Sequence, residues 1–296
     1  MNLKKPVLSY FTFTITASCV AAAGLLSATP VPGRAQQAAV AIDNDDIGGI
    51  VRGPSGPEAG VWVIAETTEL PTKFAKIVVT DEQGRFVIPD LPPKVNYEVW
   101  VRGYGLVDSP KLRAKPGQQL SLAAVPAPNE AAAAHYHPAI YWFTMMKLPP
   151  PKDFGGSTDI PKEITQDIWR LRMNNVDCIG CHQLGQEATR TIPAAFGEFK
   201  SGEEAWVRRV ASGQTGEWMV NRLAGQLGGV PFKYFGDWTD RVAKGELPKN
   251  KPQRPAGIER NVVISSWEWA TEKHFVHDLI SSDRRNQCLR AAVRLE

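Results

Sequence analysis

The chain of 296 residues predicts a multidomain fold: an N-terminal antiparallel β-sandwich followed by an all-α domain. Three observations carry this. Between Ile47 and Ala124, short alternating or β-branched runs are separated by Gly, Pro and Asp turns. From Lys162 to Leu247 the apolar period changes to that of helices. The stretch between them is rich in Pro, Ala and aromatic residues, as expected of a connector.

The first 35 residues stand apart. Lys4 and Lys5 precede an apolar run from Val7 to Leu26, and Gly33-Arg34-Ala35 offers a cleavage point before Gln36. Residues 1–35 read as a secretory signal peptide, which places the mature chain in the periplasm or outside the cell. The run is long for such a segment, so an uncleaved membrane anchor is the alternative; after cleavage no membrane association is expected. Cys19 has no Leu three residues before it and does not read as a lipid-anchor site. The remaining chain holds 31 basic and 31 acidic residues, so the net +3 belongs to the leader. Neither a nucleic-acid partner nor a polybasic membrane segment is implied.

Residues 46–125 carry the sandwich. Ile47 to Gly53 opens it, and the turn-rich Pro54-Ser55-Gly56-Pro57 follows. Val61 to Glu66 alternates with both faces partly apolar. Ala75 to Thr80 is a β-branched strand, and Asp81-Glu82-Gln83-Gly84 forms a hairpin-like turn into Arg85 to Ile88. Tyr97 to Arg102 alternates again, and Leu120 to Val125 closes a set of about seven short strands. The runs GVWVIAETT, TDEQGRFVIPDLPP and YEVWVRGYG resemble the carboxypeptidase regulatory-like domain. That resemblance implies a prealbumin-like, carbohydrate-binding-like sandwich with no catalytic residues. Carbohydrate is thus a candidate partner; wide exposure of Trp62 or Trp100 would favour sugar binding, and burial of both a scaffold.

Residues 126–161 form the connector, which the prolines are expected to keep extended. Its Tyr141-Trp142-Phe143 run is expected to pack on a neighbouring domain, because exposed it would be costly. Residues 162–247 predict three to five short helices, with stripes at Ile164/Ile168/Leu171, Trp206/Val207/Val210 and Met219/Val220/Leu223/Leu227. Residues 248–296 read as a linker and the start of a C-terminal domain, with a strand at Asn261 to Ser265.

Within the helical part stands Cys178-Ile179-Gly180-Cys181-His182. C-x-x-C-H is the attachment sequence of a c-type haem: two thiols add to the vinyl groups and the His reaches the iron. The expected cofactor is one covalent haem c on Cys178 and Cys181, with His182 as proximal iron ligand. A redox dithiol would call for a βαβ context. A zinc site would need more ligands, for which His274 and His277 are candidates. Pro193, eleven residues after His182, sits as the proline of class I cytochromes c does, whose carbonyl holds the proximal His ring. Met219 is the leading candidate for the sixth ligand. Met173 falls off the first stripe, and Met145, Met146, His135 and His137 are connector alternatives; an open or water-bound position is a further one. Arg190, Arg208, Arg209 and Arg222 are candidate partners of the haem propionates, and Trp206, Trp218 and Phe196 candidate walls of its crevice.

The segments CIGCHQLGQEATRTIP, FKSGEEAWVRRVASGQTGEWMVNRLAGQLGG and YFGDWTDRVAKGELP resemble a group of exported bacterial proteins. These carry a leader, the same sandwich and a cytochrome segment. They usually continue into a β-propeller similar to virginiamycin B lyase, whose first strands look like ERNVVISSWEWA and FVHDLISSDRRN. The resemblance implies electron transfer, with a redox partner protein or a missing C-terminal domain as partner. Past Asn286 it stops, so the chain reads as truncated, and no catalytic constellation supports an enzyme. The competing expectation is a carbohydrate- or partner-binding sandwich whose C-x-x-C-H is structural or holds zinc.

Overall fold

A computed structural model describes residues 40–156, 158–176, 178, 183–212, 216–268 and 292–295. The signal-peptide segment, Cys181, His182, His274, His277 and Cys288 lie outside them.

Ten strands make the N-terminal part: β1 (Ile47–Gly53), β2 (Gly56–Pro57), β3 (Trp62–Thr67), β4 (Lys73–Val79), β5 (Arg85–Ile88), β6 (Tyr97–Arg102), β7 (Leu106–Val107), β8 (Leu112–Ala114), β9 (Gln118–Ala123) and β10 (Val125–Pro126). One sheet has β1 at its centre, with β2 and β5 along one edge and β9 along the other. The second runs β4-β3-β6-β8. β7 and β10 pair separately. Alternation explains the burial: every second residue of β4, from Phe74 to Val78, turns inward. Ile47, Val51, Phe86, Ile88 and Leu122 of one sheet meet Val63, Phe74, Val99 and Val101 of the other in a common core.

Two expectations change. The β1–β9 pair is parallel, so the sandwich is not wholly antiparallel. Gly49 makes that pairing close: at φ +155 its Cβ would lie 2.0 Å from the Leu120 carbonyl oxygen. The Asp81–Gly84 turn forms, with Asp81 accepting from the Gln83 and Arg85 amides at 2.9 and 2.8 Å. It does not close a hairpin, because β4 and β5 belong to different sheets.

Tyr97 is fully buried and donates its hydroxyl to the Pro92 carbonyl at 2.9 Å. Burial pushes its phenol up to about 12. A folded-state value raised above the unfolded one stabilises fully below pH 10 and is lost as pH rises through 12. Phenolate difference absorbance should therefore show one tyrosine titrating late, together with unfolding; Tyr97→Phe should remove that step.

The connector is not extended. Asn129 caps α1 (Glu130–His135) by accepting from the Ala132 amide at 2.9 Å, and Pro138 stands at the N-cap of α2 (Ala139–Phe143), where a missing amide costs nothing. α1 lies against β7. The Tyr136 hydroxyl accepts from the Asp108 amide at 3.2 Å, beneath an Arg102–Asp108 ion pair. Trp142 and Phe143 are buried, as the aromatic run required.

The helical part holds α3 (Gln166–Leu171), α4 (Glu187–Arg190), α5 (Gly202–Val210), α6 (Gly216–Val220) and α7 (Pro231–Ala243). Two π-helical segments, Arg172–Val176 and Asn221–Gln226, follow α3 and α6. Ser201 caps α5 through the Glu204 amide, with Glu203 and Glu204 at its positive end and Arg208 and Arg209 at its negative end. α7 supplies the centre. Phe235 stacks on Trp206 at 4.6 Å, and Trp238 is fully buried against Phe143. The first expected stripe is out of phase. α3 begins after its cap Thr165, so Ile164 is not on it, and the buried face is Trp169 with Met173; Leu171 is 51% exposed.

After the helical part the chain returns to the sandwich. Arg254 donates to the Tyr104 carbonyl at 3.0 Å and pairs with Glu58. The strand expected to open a C-terminal domain forms β11 (Ile264–Glu268), antiparallel along β4, and β12 (Ala292–Leu295) pairs with β11. No helix among the described residues is long and apolar enough to cross a membrane.

Candidate haem site

The motif leaves the π-helical end of the α3 segment. Cys178 is half-buried and packs on the core of the helical part, which includes Phe143, Trp169, Met173, Leu184, Leu223 and Trp238. Met219, half-buried on α6, packs on the same cluster, as do Met145 and Met146 of the connector. The two π-helical segments face one another: Arg172 of the first and Arg222 of the second both donate to the Gln226 side-chain oxygen. That tie brings the chain before Cys178 beside the chain after Met219. π-helical turns cluster at functional sites because the extra residue re-aims the chain.

Behind the motif, Leu184 enters the core and Gly185 turns at φ +95. A Cβ there would lie 2.0 Å from the Ala139 carbonyl oxygen and 2.7 Å from the Phe143 amide. The loop after His182 is therefore seated directly on α2. Gly185→Ala is expected to combine left-handed strain with this clash and to lower stability by about 1–3 kcal/mol, seen in denaturant midpoints. A neutral outcome would mean the loop does not sit on α2.

Pro193 precedes a 3-10 turn at Ala194–Phe196, and its carbonyl accepts the Phe196 amide at 3.0 Å. A carbonyl has two lone pairs, so one remains for a ring N–H. Ile192 beside it packs on the same core as Cys178.

No family model and no curated protein matches the chain. Among solved structures, a chain of a type II cohesin–X-dockerin complex from Acetivibrio cellulolyticus is similar at 14% identity. The match covers 41% of this chain and 85% of that one, with a TM-score of 0.23. A score that low carries no argument about this chain.

The other expected residues divide. Trp206 is core, its indole N–H donating to the Thr239 hydroxyl at 3.1 Å. Trp218 is 67% exposed, with Arg222 over its ring, and does not face the cluster. His137 sits between Tyr104 and Tyr141, and burial, with the Lys251 charge adding to it, lowers its pKa. His135 is exposed beside Glu187 at 3.8 Å. Met173 was discounted by periodicity, yet it is 3% exposed within the cluster. Its spacing of four from Trp169 was the available signal.

Among the described residues no group of three His, Cys, Asp or Glu could hold a metal. The donor set around Cys178 is thiol and thioether on an apolar, aromatic wall. That is the chemistry a porphyrin edge and a soft axial ligand need. The described residues fit the group. On the sandwich, Trp100 is 5% exposed beneath the Lys111 amine at 4.4 Å. Trp62 is half-buried, edge-on to Tyr104 at 4.8 Å. Neither indole has the wide exposure that sugar stacking needs.

Proposed function

We propose that this chain is an exported c-type cytochrome module that carries one haem c. Cys178 and Cys181 hold it covalently, and His182 ligates the iron from the proximal side. The observation that carries the reading is the C-x-x-C-H run emerging where Cys178 and Met219 border one apolar cluster. When bound, the haem supplies one-electron iron chemistry. The chain's residues then do the rest. Trp169, Leu223 and their neighbours would exclude water from the group, and that low local polarity would shift its potential. Met219, packed on the same cluster, would be the residue to supply a thioether to the iron, and a thioether would raise the potential relative to a second His. The Pro193 carbonyl takes the His182 ring N–H and fixes its orientation.

The sandwich acts as a carrier: the connector meets it through Tyr136 and meets the helical part through Trp142, whose carbonyl accepts the Trp238 indole N–H. The leader-like first 35 residues, together with the resemblance to exported bacterial proteins, support a location in the periplasm or outside the cell. Its electrons would pass to a redox partner protein or to a further C-terminal domain. No lyase or dehydrogenase activity is assigned to these residues.

The test is export in a host with cytochrome c maturation, followed by haem staining on a denaturing gel and a visible spectrum. Stain that stays with the chain and a c-type absorption band are expected. A colourless, zinc-loaded product would sink the reading in favour of a structural motif.

A further inference from the structure

The four arginines that could meet an anion are used differently. Arg209 places both terminal nitrogens on the Ala188 and Thr191 carbonyls. Arg208 is exposed over the Phe196 ring, and Arg222 lies over exposed Trp218. Arg190 is the buried one, at 8% exposure. Its Nη1 donates to the Gly185 carbonyl at 2.7 Å, and its guanidinium lies 4.0 Å from the centre of the Trp142 ring.

A guanidinium has five N–H donors and stays charged at neutral pH. Arg190 has one protein acceptor and one aromatic face. Among the described residues no carboxylate lies within ion-pair reach of it; Glu187, on the same helix, faces His135 instead. Burial lowers its pKa below the usual arginine value, and the charge of Glu187 on the same helix opposes that only in part. With no carboxylate in hydrogen-bond contact with it among the described residues, this guanidinium keeps N–H donors for an anion. Gly185, which Arg190 grips, stands three residues after His182. Chain length therefore holds it within about 11 Å of that residue.

We propose that Arg190 binds a propionate carboxylate of the covalent haem, with Trp142 shielding the pair from water. The inference rests on the haem reading and deepens it. The connector helix α2 becomes a wall of the haem site, and Arg190 serves two roles. It positions the loop after His182, and it places a fixed positive charge beside the iron. That charge favours the reduced state, in which the iron centre carries one positive charge fewer.

The experiment uses the full haem-loaded chain with Arg190→Gln and Arg190→Lys. Both should keep covalent haem on a denaturing gel. Arg190→Gln should lower the reduced-to-oxidised ratio at fixed potential about tenfold, which is about 59 mV for a one-electron couple. Arg190→Lys should recover at least half of that shift. Attached haem with an unmoved ratio in Arg190→Gln overturns the inference alone, and so does a Lys variant as shifted as the Gln variant. Should the Gln variant not fold, the redox infrared difference spectrum decides. Its carboxylate band should move between wild type and Arg190→Lys, and an identical band overturns the proposal. A wild-type chain without covalent haem overturns the haem reading itself, and this inference with it.

Discussion

Cys178→Ala is expected to leave a haem attached by one thioether at most, and His182→Ala a haem whose iron has lost its proximal nitrogen. The two variants separate the roles. The first should cut haem stain on a denaturing gel, because the link through Cys181 alone is less readily made and more readily lost. The second should keep stain but change the visible spectrum toward a weaker-field iron. A wild-type spectrum from either would remove that residue from the site. The same preparation ranks the thioethers. Met219→Leu should lower the reduction potential if that sulfur is an axial ligand. Met173→Leu, a volume-conserving change deep in the core, should cost under about 1.5 kcal/mol and leave the potential unchanged. The opposite result would exchange their roles.

Trp238→Ala is expected to cost about 3–5 kcal/mol, enough to unfold a marginal domain. Trp238 is fully buried between Phe143 and Phe235, and its indole N–H donates to the Trp142 carbonyl at 2.9 Å. Truncation opens a cavity where α7 meets α2 and removes one donor from that carbonyl, which keeps the Met145 amide at 3.2 Å. Trp218→Ala, on a side chain 67% exposed, should change stability by about 0.5 kcal/mol or less. Denaturant midpoints of the pair check both. Equal losses would mean that the core is not centred on α7.

Much of the sandwich was legible because its signals are local. Alternation at Tyr97, Val99 and Val101 and the Asp81 turn need only neighbours in sequence to be read. What was not legible is pairing between distant strands. Nothing within β1 says that its neighbour is β9 in parallel, except Gly49, whose missing side chain permits the approach. In the helical part the expected stripe starts from Ile164, which lies ahead of the Thr165 cap, whereas Trp169 and Met173, four residues apart, form the buried face. α7 went unread although Phe232, Phe235 and Trp238 recur every three residues. The connector departs from an extended run because Pro138 stands at a helix start, where proline is tolerated, and not inside a helix. Of the candidate site, the motif was plain from residue identity. The surface behind it was not, since Trp142, Gly185 and Arg190 meet only in the fold.

β11 joins β4 roughly 190 residues after it in sequence, with the whole helical part between them. As the chain is synthesised, β4 is therefore an open edge until that part has emerged, and an open edge invites pairing with other chains. Closing so long a loop costs little more than closing a short one, because the penalty grows only with the logarithm of length. The delay is thus one of timing rather than equilibrium. Until then one strand of the sandwich lacks its neighbour, and truncation ahead of Ile264 should yield aggregates before it yields a smaller soluble protein.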